Sequence, residues 1–330
     1  MEIDSILLEG MLVRILIFGR GVIGTIYGTA FQAAGNDVEY YVRPGRASAY
    51  GSEVQTDIID ARRKRKDRHV NDVSTTPLRE SIDPSDAFDL VVVSVGHHRL
   101  TEAAEFLAPR IGQATVLVFG NVWDEPADAV APLPADQVVF GFPLAGGGFA
   151  EDGVLHGALF RSVIIGRREA RRSERESAVR AVFRRAGFRT RDEADIRGFL
   201  FVHVVSDAGM FAEGARGRAL AGMIGDRRAF QRALTISREL LPVLRARGVD
   251  PRRHRRALLL FRLAAPVAAA MAFATARVPI AQVSLAAHTD PGSAEARAIL
   301  HDVILEAARL GIDVPLLEAS SGHLSPQLRP

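Results

Sequence analysis

Three glycines at positions 19, 21 and 24 are spaced Gly-x-Gly-x-x-Gly, and that spacing can hold a pyrophosphate. Gly19 allows a tight turn, Gly21 lets the backbone approach the phosphates, and Gly24 lets the following helix pack on the preceding strand. The helix start then offers free N–H groups and the positive end of its dipole to the anion. Arg20, Val22 and Ile23 fill the turn between the glycines. Further on, Arg43 ends the next apolar run and Arg46 follows it. A guanidinium presents a planar fork of donors suited to a 2′-phosphate, whereas an acidic residue there would suit a free ribose 2′-hydroxyl. Glu39 lies earlier in the run and is the one residue that argues for NAD. The pattern points to NADP(H) as cofactor.

The elements around the motif fit this reading. Five apolar or β-branched residues precede the turn, and an apolar helix ending at Gly35 follows it. Asp89–Val95, Thr115–Phe119 and Gln137–Phe142 read as further strands; the first two are continuous apolar runs, as expected of central parallel strands buried on both faces. A loop is expected at Gly146–Gly148, one strand at Leu159–Gly166, and a helix at Glu174–Arg185 ending at Gly187. From Glu193 the spacing turns helical throughout, with stops at Gly248 and Gly311. We therefore expect an α/β, Rossmann-type dinucleotide-binding domain over 11–192 and an all-helical domain over 193–330, with a substrate in the cleft between them. Residues 1–10, ahead of Met11, are either an extension or a misplaced start.

Composition narrows the classes. There is no cysteine, so disulfides and thiol chemistry are excluded, and no spacing of histidines and acids suggests a metal. The net charge is +3, and the only lysines, Lys64 and Lys66, sit in the run Arg62–Arg68. Without interleaved aromatics this run reads as a solvated hairpin turn, not a nucleic-acid site. Ala257–Ala276 is apolar but interrupted by Arg262 and Pro266, so it reads as two short buried helices and not a membrane span. No secretory signal is evident, and a cytoplasmic location is expected.

Five further stretches carry a family resemblance: the glycine turn with Arg43; Asp89–Arg99; Phe119-Gly120-Asn121; Gly141–Gly147 with Gly153–His156 and Ile165-Gly166; and Glu295 through Gly311–Pro315. From Met11 on, the chain resembles the ketopantoate reductases (2-dehydropantoate 2-reductases and their relatives). The resemblance implies hydride transfer from NADPH to the keto carbon of a small 2-oxo acid or related ketone, or the reverse. It also implies a helical half like the C-terminal domain of 6-phosphogluconate dehydrogenase, and a monomer or homodimer. By the same resemblance Asn121 is the asparagine on the nicotinamide side, Glu295 the late-helix glutamate, and Ser284 the substrate serine. Val95, Gly96 and His97 correspond to the cofactor loop. The family's lysine is missing: depending on register, Phe201 or His203 takes its place, and the helix asparagines become Asp207 and Phe211.

Reduction of a carbonyl needs an acid for the developing alkoxide. His203 is the leading candidate, since histidine titrates near neutrality, and Asp207 four residues on lies on the same helical face. His97 and His98 follow a buried strand at the end where open α/β sheets bind ligands; His98 and His288 are candidate substrate contacts and Arg99 a candidate carboxylate clamp. The missing lysine leaves one alternative open: a nucleotide-binding protein, or a non-redox enzyme for cyclisation or isomerisation, on the same fold.

Overall fold

The structure is a computed structural model that describes residues 12–167, 172–217, 219–286 and 294–321. It forms two compact units. The first runs to Gly120 and resumes from Asp124 to Ile196; the second takes Asn121–Trp123 and the chain from Arg197. The division falls four residues beyond the expected boundary and gives three residues of the first half to the second unit.

The first unit opens with β1 (Arg14–Phe18), α1 (Val22–Ala33) and β2 (Asp37–Tyr41), followed by α2 (Ala47–Tyr50). Then come β3 (Glu53–Asp60), β4 (His69–Thr75), β5 (Leu78–Arg79), β6 (Leu90–Val93), α3 (Leu100–Leu107), β7 (Thr115–Phe119) and β8 (Val138–Phe142). It closes with β9 (Ala145–Phe149), β10 (Leu155–Leu159), β11 (Ser162–Gly166), α4 (Glu174–Arg185) and β12 (Arg189–Glu193). The main sheet has the order β12-β11-β8-β7-β6-β1-β2-β5 and is parallel except where β11 meets β8. Every residue of β6 and β7 is buried, as their unbroken apolar sequences require of strands covered on both faces.

A second, four-stranded sheet, β4-β3-β10-β9, was not expected. Its β3–β4 hairpin places Arg62–Arg68 in the exposed connection, as the composition suggested. The expected Gly146–Gly148 loop is instead β9, paired antiparallel with β10. A Cβ on Gly147 would lie 2.5 Å from the His156 carbonyl oxygen and 3.2 Å from Val22 Cγ1. The glycines are there for close approach, and not for turning. The expected single strand Leu159–Gly166 is two: β10 ends at Leu159 in the second sheet and β11 starts at Ser162 in the first. One apolar run thus crosses between sheets, which period alone cannot reveal.

Arg180 on α4 has only 2% of its side chain exposed; it donates to Asp192 Oδ1 at 3.0 Å and to the Glu176 carbonyl. Desolvation alone would raise the Asp192 pKa, but hydrogen bonds and charge from Arg172 and Arg180 outweigh it and hold the carboxyl below its usual range. A depressed acid contributes stability above its unfolded pKa and loses it as pH falls through the folded value. Asp192→Ala should therefore cost about 3 kcal/mol at neutral pH by stranding a buried cation, with the deficit shrinking towards acid pH. Urea melts at pH 7 and pH 3 measure this; an equal deficit at both would show that the charge pair is not its source.

The second unit holds α5 (Ile196–Gly217), α6 (Arg227–Glu239), α7 (Leu241–Ala246), α8 (Arg255–Arg262), α9 (Ala264–Arg277), α10 (Pro279–Ala286), α11 (Ala294–Arg309) and α12 (Pro315–Ser321). Gly209 lets α5 press against α6: a Cβ there would meet Ser237 Oγ at 2.2 Å and the Ala233 carbonyl oxygen at 2.4 Å. Gly248 and Gly311 end their helices with φ of +74° and +66°, as the sequence indicated. The apolar stretch is the bent pair α8–α9, broken at Leu263; Pro266 falls in the first turn of α9, where no helical N–H is needed. This pair is not fully buried as expected. Ala264, Ala268 and Ala272 face the core, while Leu259, Leu260, Leu263 and Phe273 stand exposed. The two helices are bent by 94°, and no single described helix is long and apolar enough to cross a membrane.

Candidate functional site

A cavity of about 440 Å³ lies at the C-terminal ends of β1, β2 and β6. Gly19, Arg20 and Gly21 line it together with Arg43, Arg46, Val95, Gly96 and, unforeseen in this role, Ser94 and Arg99. Gly19 adopts φ +100°, which favours glycine, and a Cβ on Gly24 would strike Ile17 Cγ2 at 2.8 Å. Gly21 begins α1 with no side-chain cap and with open space where a Cβ would stand. The first N–H groups of α1 are thus left for an anion. Val22, Ile23 and Gly24 form the first turn of the helix behind this rim.

The floor is aromatic. Phe18 stacks on Tyr41 at 5.0 Å, and Phe106 packs on Tyr41 at 5.0 Å. The rim is cationic, with Arg20, Arg43, Arg46 and Arg99 against Glu102. Arg20 donates to the carbonyls of Tyr50 and Glu53, and its guanidinium lies over the Tyr50 ring; burial lowers its pKa. Arg46 also faces Tyr50, at 5.7 Å. The loop bearing Arg43 and Arg46 is pinned by Glu80, whose carboxylate accepts the Ala47 N–H at 2.8 Å; this and further backbone N–H bonds hold its pKa below the usual range. Glu39, by contrast, is committed: Arg14 reaches one oxygen at 3.0 Å and Arg79 the other at 3.4 Å.

Of the two histidines after β6, His97 is buried and His98 exposed, their rings 5.7 Å apart. Neither lines the cavity, whereas Arg99 does and pairs with Glu102 at 3.5 Å. Arg99 is therefore a wall of the nucleotide-sized cavity in this unit; the sequence suggested a carboxylate clamp.

The second polar centre lies within the helical unit. Trp123, the chain's one tryptophan, is buried in that unit's core and packs edge-on against Phe201 at 5.5 Å. The Arg247 guanidinium covers both rings, 4.2 Å from Trp123 and 3.7 Å from Phe201, and pairs with Glu306 at 3.4 Å. This anchor carries Asn121 to the helices. Asn121 Nδ2 donates to Asp207 Oδ2 at 3.1 Å and to Glu295 Oε1 at 3.3 Å. Asp207 Oδ1 lies 3.4 Å from His203 Nε2, one turn back on α5, and the His203 ring stacks on Phe199. Asn121, His203, Asp207 and Glu295 thus form one chain of contacting polar groups. His203 is one-third exposed and Asp207 less so, so both side chains remain within reach of solvent. Ser284 lies half-buried on α10 and makes no hydrogen bond to this cluster, and His288 falls outside the described residues. Trp123 and Arg247 were missed from the sequence; a lone tryptophan two residues after Asn121 was the available signal.

Residues 15–170 match the family described as "Ketopantoate reductase PanE/ApbA". No match was found among curated proteins. Among solved structures, a PanE/ApbA family ketopantoate reductase from Ralstonia eutropha JMP134 is 18% identical, with TM-score 0.66 over 94% of this chain and 97% of that one. A 2-dehydropantoate 2-reductase from Geobacter metallireducens GS-15 gives 18% and 0.66 over 94% and 99%. D-mandelate dehydrogenase, solved with NADH and anilino(oxo)acetate, gives 14% and 0.70 over 94% and 97%. These likenesses extend the same fold through the helical region.

Proposed function

We propose that the chain, whose residues 15–170 match the PanE/ApbA ketopantoate reductase family, is an NADPH-dependent oxidoreductase. It reduces the keto group of a small 2-oxo acid or related ketone, or catalyses the reverse. The observation that carries the cofactor choice is the pairing of Glu39 with Arg14 and Arg79, while Arg43 and Arg46 remain on the cavity rim without a carboxylate partner among the described residues. An acidic residue so engaged is a poor holder of a ribose 2′-hydroxyl, and two guanidinium groups suit a 2′-phosphate.

When bound, the cofactor supplies a hydride. The chain supplies the rest. His203 donates the proton that the alkoxide needs, and Asp207 orients the imidazole. Asn121 fixes the carboxylates of Asp207 and Glu295 relative to each other. Action as monomer or homodimer, a cytoplasmic location, and independence from nucleic acid and membrane complete the reading.

The absence of any lysine after Lys66 favours a second reading, nucleotide binding with non-redox chemistry. NADPH deuterated stereospecifically at C4, incubated with a panel of ketones and 2-oxo acids, separates the two. We expect label in a product; NADPH binding without transfer across the panel supports the second reading.

A further inference from the structure

We infer that the helical unit holds a binding site of its own, for a small organic phosphate, in a cavity of about 370 Å³ walled by α5, α6 and α12. The cavity shares no residue with the one around Gly19 and Arg43, and its size is that of a small-molecule pocket. The proposed reaction makes no use of it, and the site stands whether or not the redox reading holds.

Helix α6 supplies Arg228, Arg232 and Thr235, whose spacing of four and three sets them on one helical face, with Ile236 beside them. Arg216 comes from the last turn of α5. Leu316 and Ala319 come from one face of α12. Glu239 fixes that helix: its two oxygens accept the Leu316 and Leu317 N–H groups, each at 3.0 Å.

Three arginines line the cavity and no acidic residue does. The buried Glu213 grips Arg232 along its Nε–Nη2 edge, with Nε donating to Oε1 at 2.9 Å, so this guanidinium is held in place and its charge is balanced. Arg216 and Arg228 are exposed and make no ion pair among the described residues. Asp226, the nearest acid in sequence to Arg228, is spent on the Arg228 and Ala229 N–H groups at the start of α6. Two uncompensated cations on one cavity disfavour each other, and an anion between them removes that cost. A phosphate monoester brings close to two negative charges near neutral pH and three acceptor oxygens for guanidinium forks; a carboxylate brings one charge and two oxygens. Ile236, Leu316 and Ala319 set an apolar wall beside the cations, and Leu316 stands 46% exposed, so the ester's organic group has a surface to cover.

Calorimetric titration of the full chain with phenyl phosphate, inorganic phosphate, benzoate and phenol tests this. Phenyl phosphate should bind about fivefold or more tighter than inorganic phosphate or benzoate, and phenol should not bind. Arg216→Gln with Arg228→Gln should weaken phenyl phosphate by about tenfold or more, the scale of one well-placed charge contact. Binding in the cavity around Gly19 would survive that pair. Arg252→Gln with Arg253→Gln, which removes the same charge from an exposed turn, should change little. Leu316→Asn should bring phenyl phosphate down to the affinity of inorganic phosphate. Melting temperatures of all variants are checked alongside. No phenyl phosphate binding, equal weakening by the two arginine pairs, benzoate binding as tightly as phenyl phosphate, or an unchanged preference in Leu316→Asn overturns the inference.

Discussion

His203→Ala should lower kcat for ketone reduction by about 10²- to 10⁴-fold, the usual contribution of a general acid, with little change in NADPH affinity. The geometry behind this is the His203 Nε2 to Asp207 Oδ1 distance of 3.4 Å, held from the far side by Asn121. His203→Lys should restore part of the rate, because an ammonium can also donate the proton. Asp207→Asn should also lower kcat while leaving the imidazole in place. Steady-state pH profiles of these three variants are the measurement. A His203→Ala enzyme with wild-type kcat and an unchanged profile would remove histidine from the chemistry.

The second large effect concerns the cofactor. Arg43→Ala with Arg46→Ala should weaken NADPH binding by about 10- to 100-fold, the scale of one or two charge-assisted hydrogen bonds, and leave NADH binding nearly unchanged. Each arginine lines the cavity, and Glu80 holds their loop through the Ala47 N–H. Glu80→Ala should therefore give a smaller loss in the same direction. Fluorescence titration with both cofactors checks this. Equal weakening for NADPH and NADH would mean that the two arginines act on the shared pyrophosphate or on loop structure, and not on the 2′-phosphate.

Local chemistry made much of both units readable. The glycine turn, the buried strands Leu90–Val93 and Thr115–Phe119, the hairpin around Arg62–Arg68 and the helix stops at Gly248 and Gly311 all lie where short-range sterics and apolar period place them. The failures have one physical origin. Gly146–Gly148 looks like a loop because glycine is a turn former, but here the missing Cβ admits a neighbouring strand. Leu159–Gly166 looks like one strand because an apolar period does not say which of two sheets will bury it. The α8–α9 pair looks fully buried because composition counts leucines without saying which face they take.

The sequence by itself determined a glycine turn, a helix start and Arg43 within one short stretch of chain, the pattern expected of a dinucleotide site. It also supplied the residue types for acid chemistry. Only the tertiary structure decided the electrostatics. Glu39 pairs with Arg14 and Arg79, which lie 25 and 40 positions away. Asn121 meets Asp207 and Glu295 across separations of 86 and 174 residues, because burying Trp123 pulls three residues out of the sheet unit into the helical one. Hydrogen bonds and charges depend on distance in space, and no local pattern encodes contacts closed by long loops.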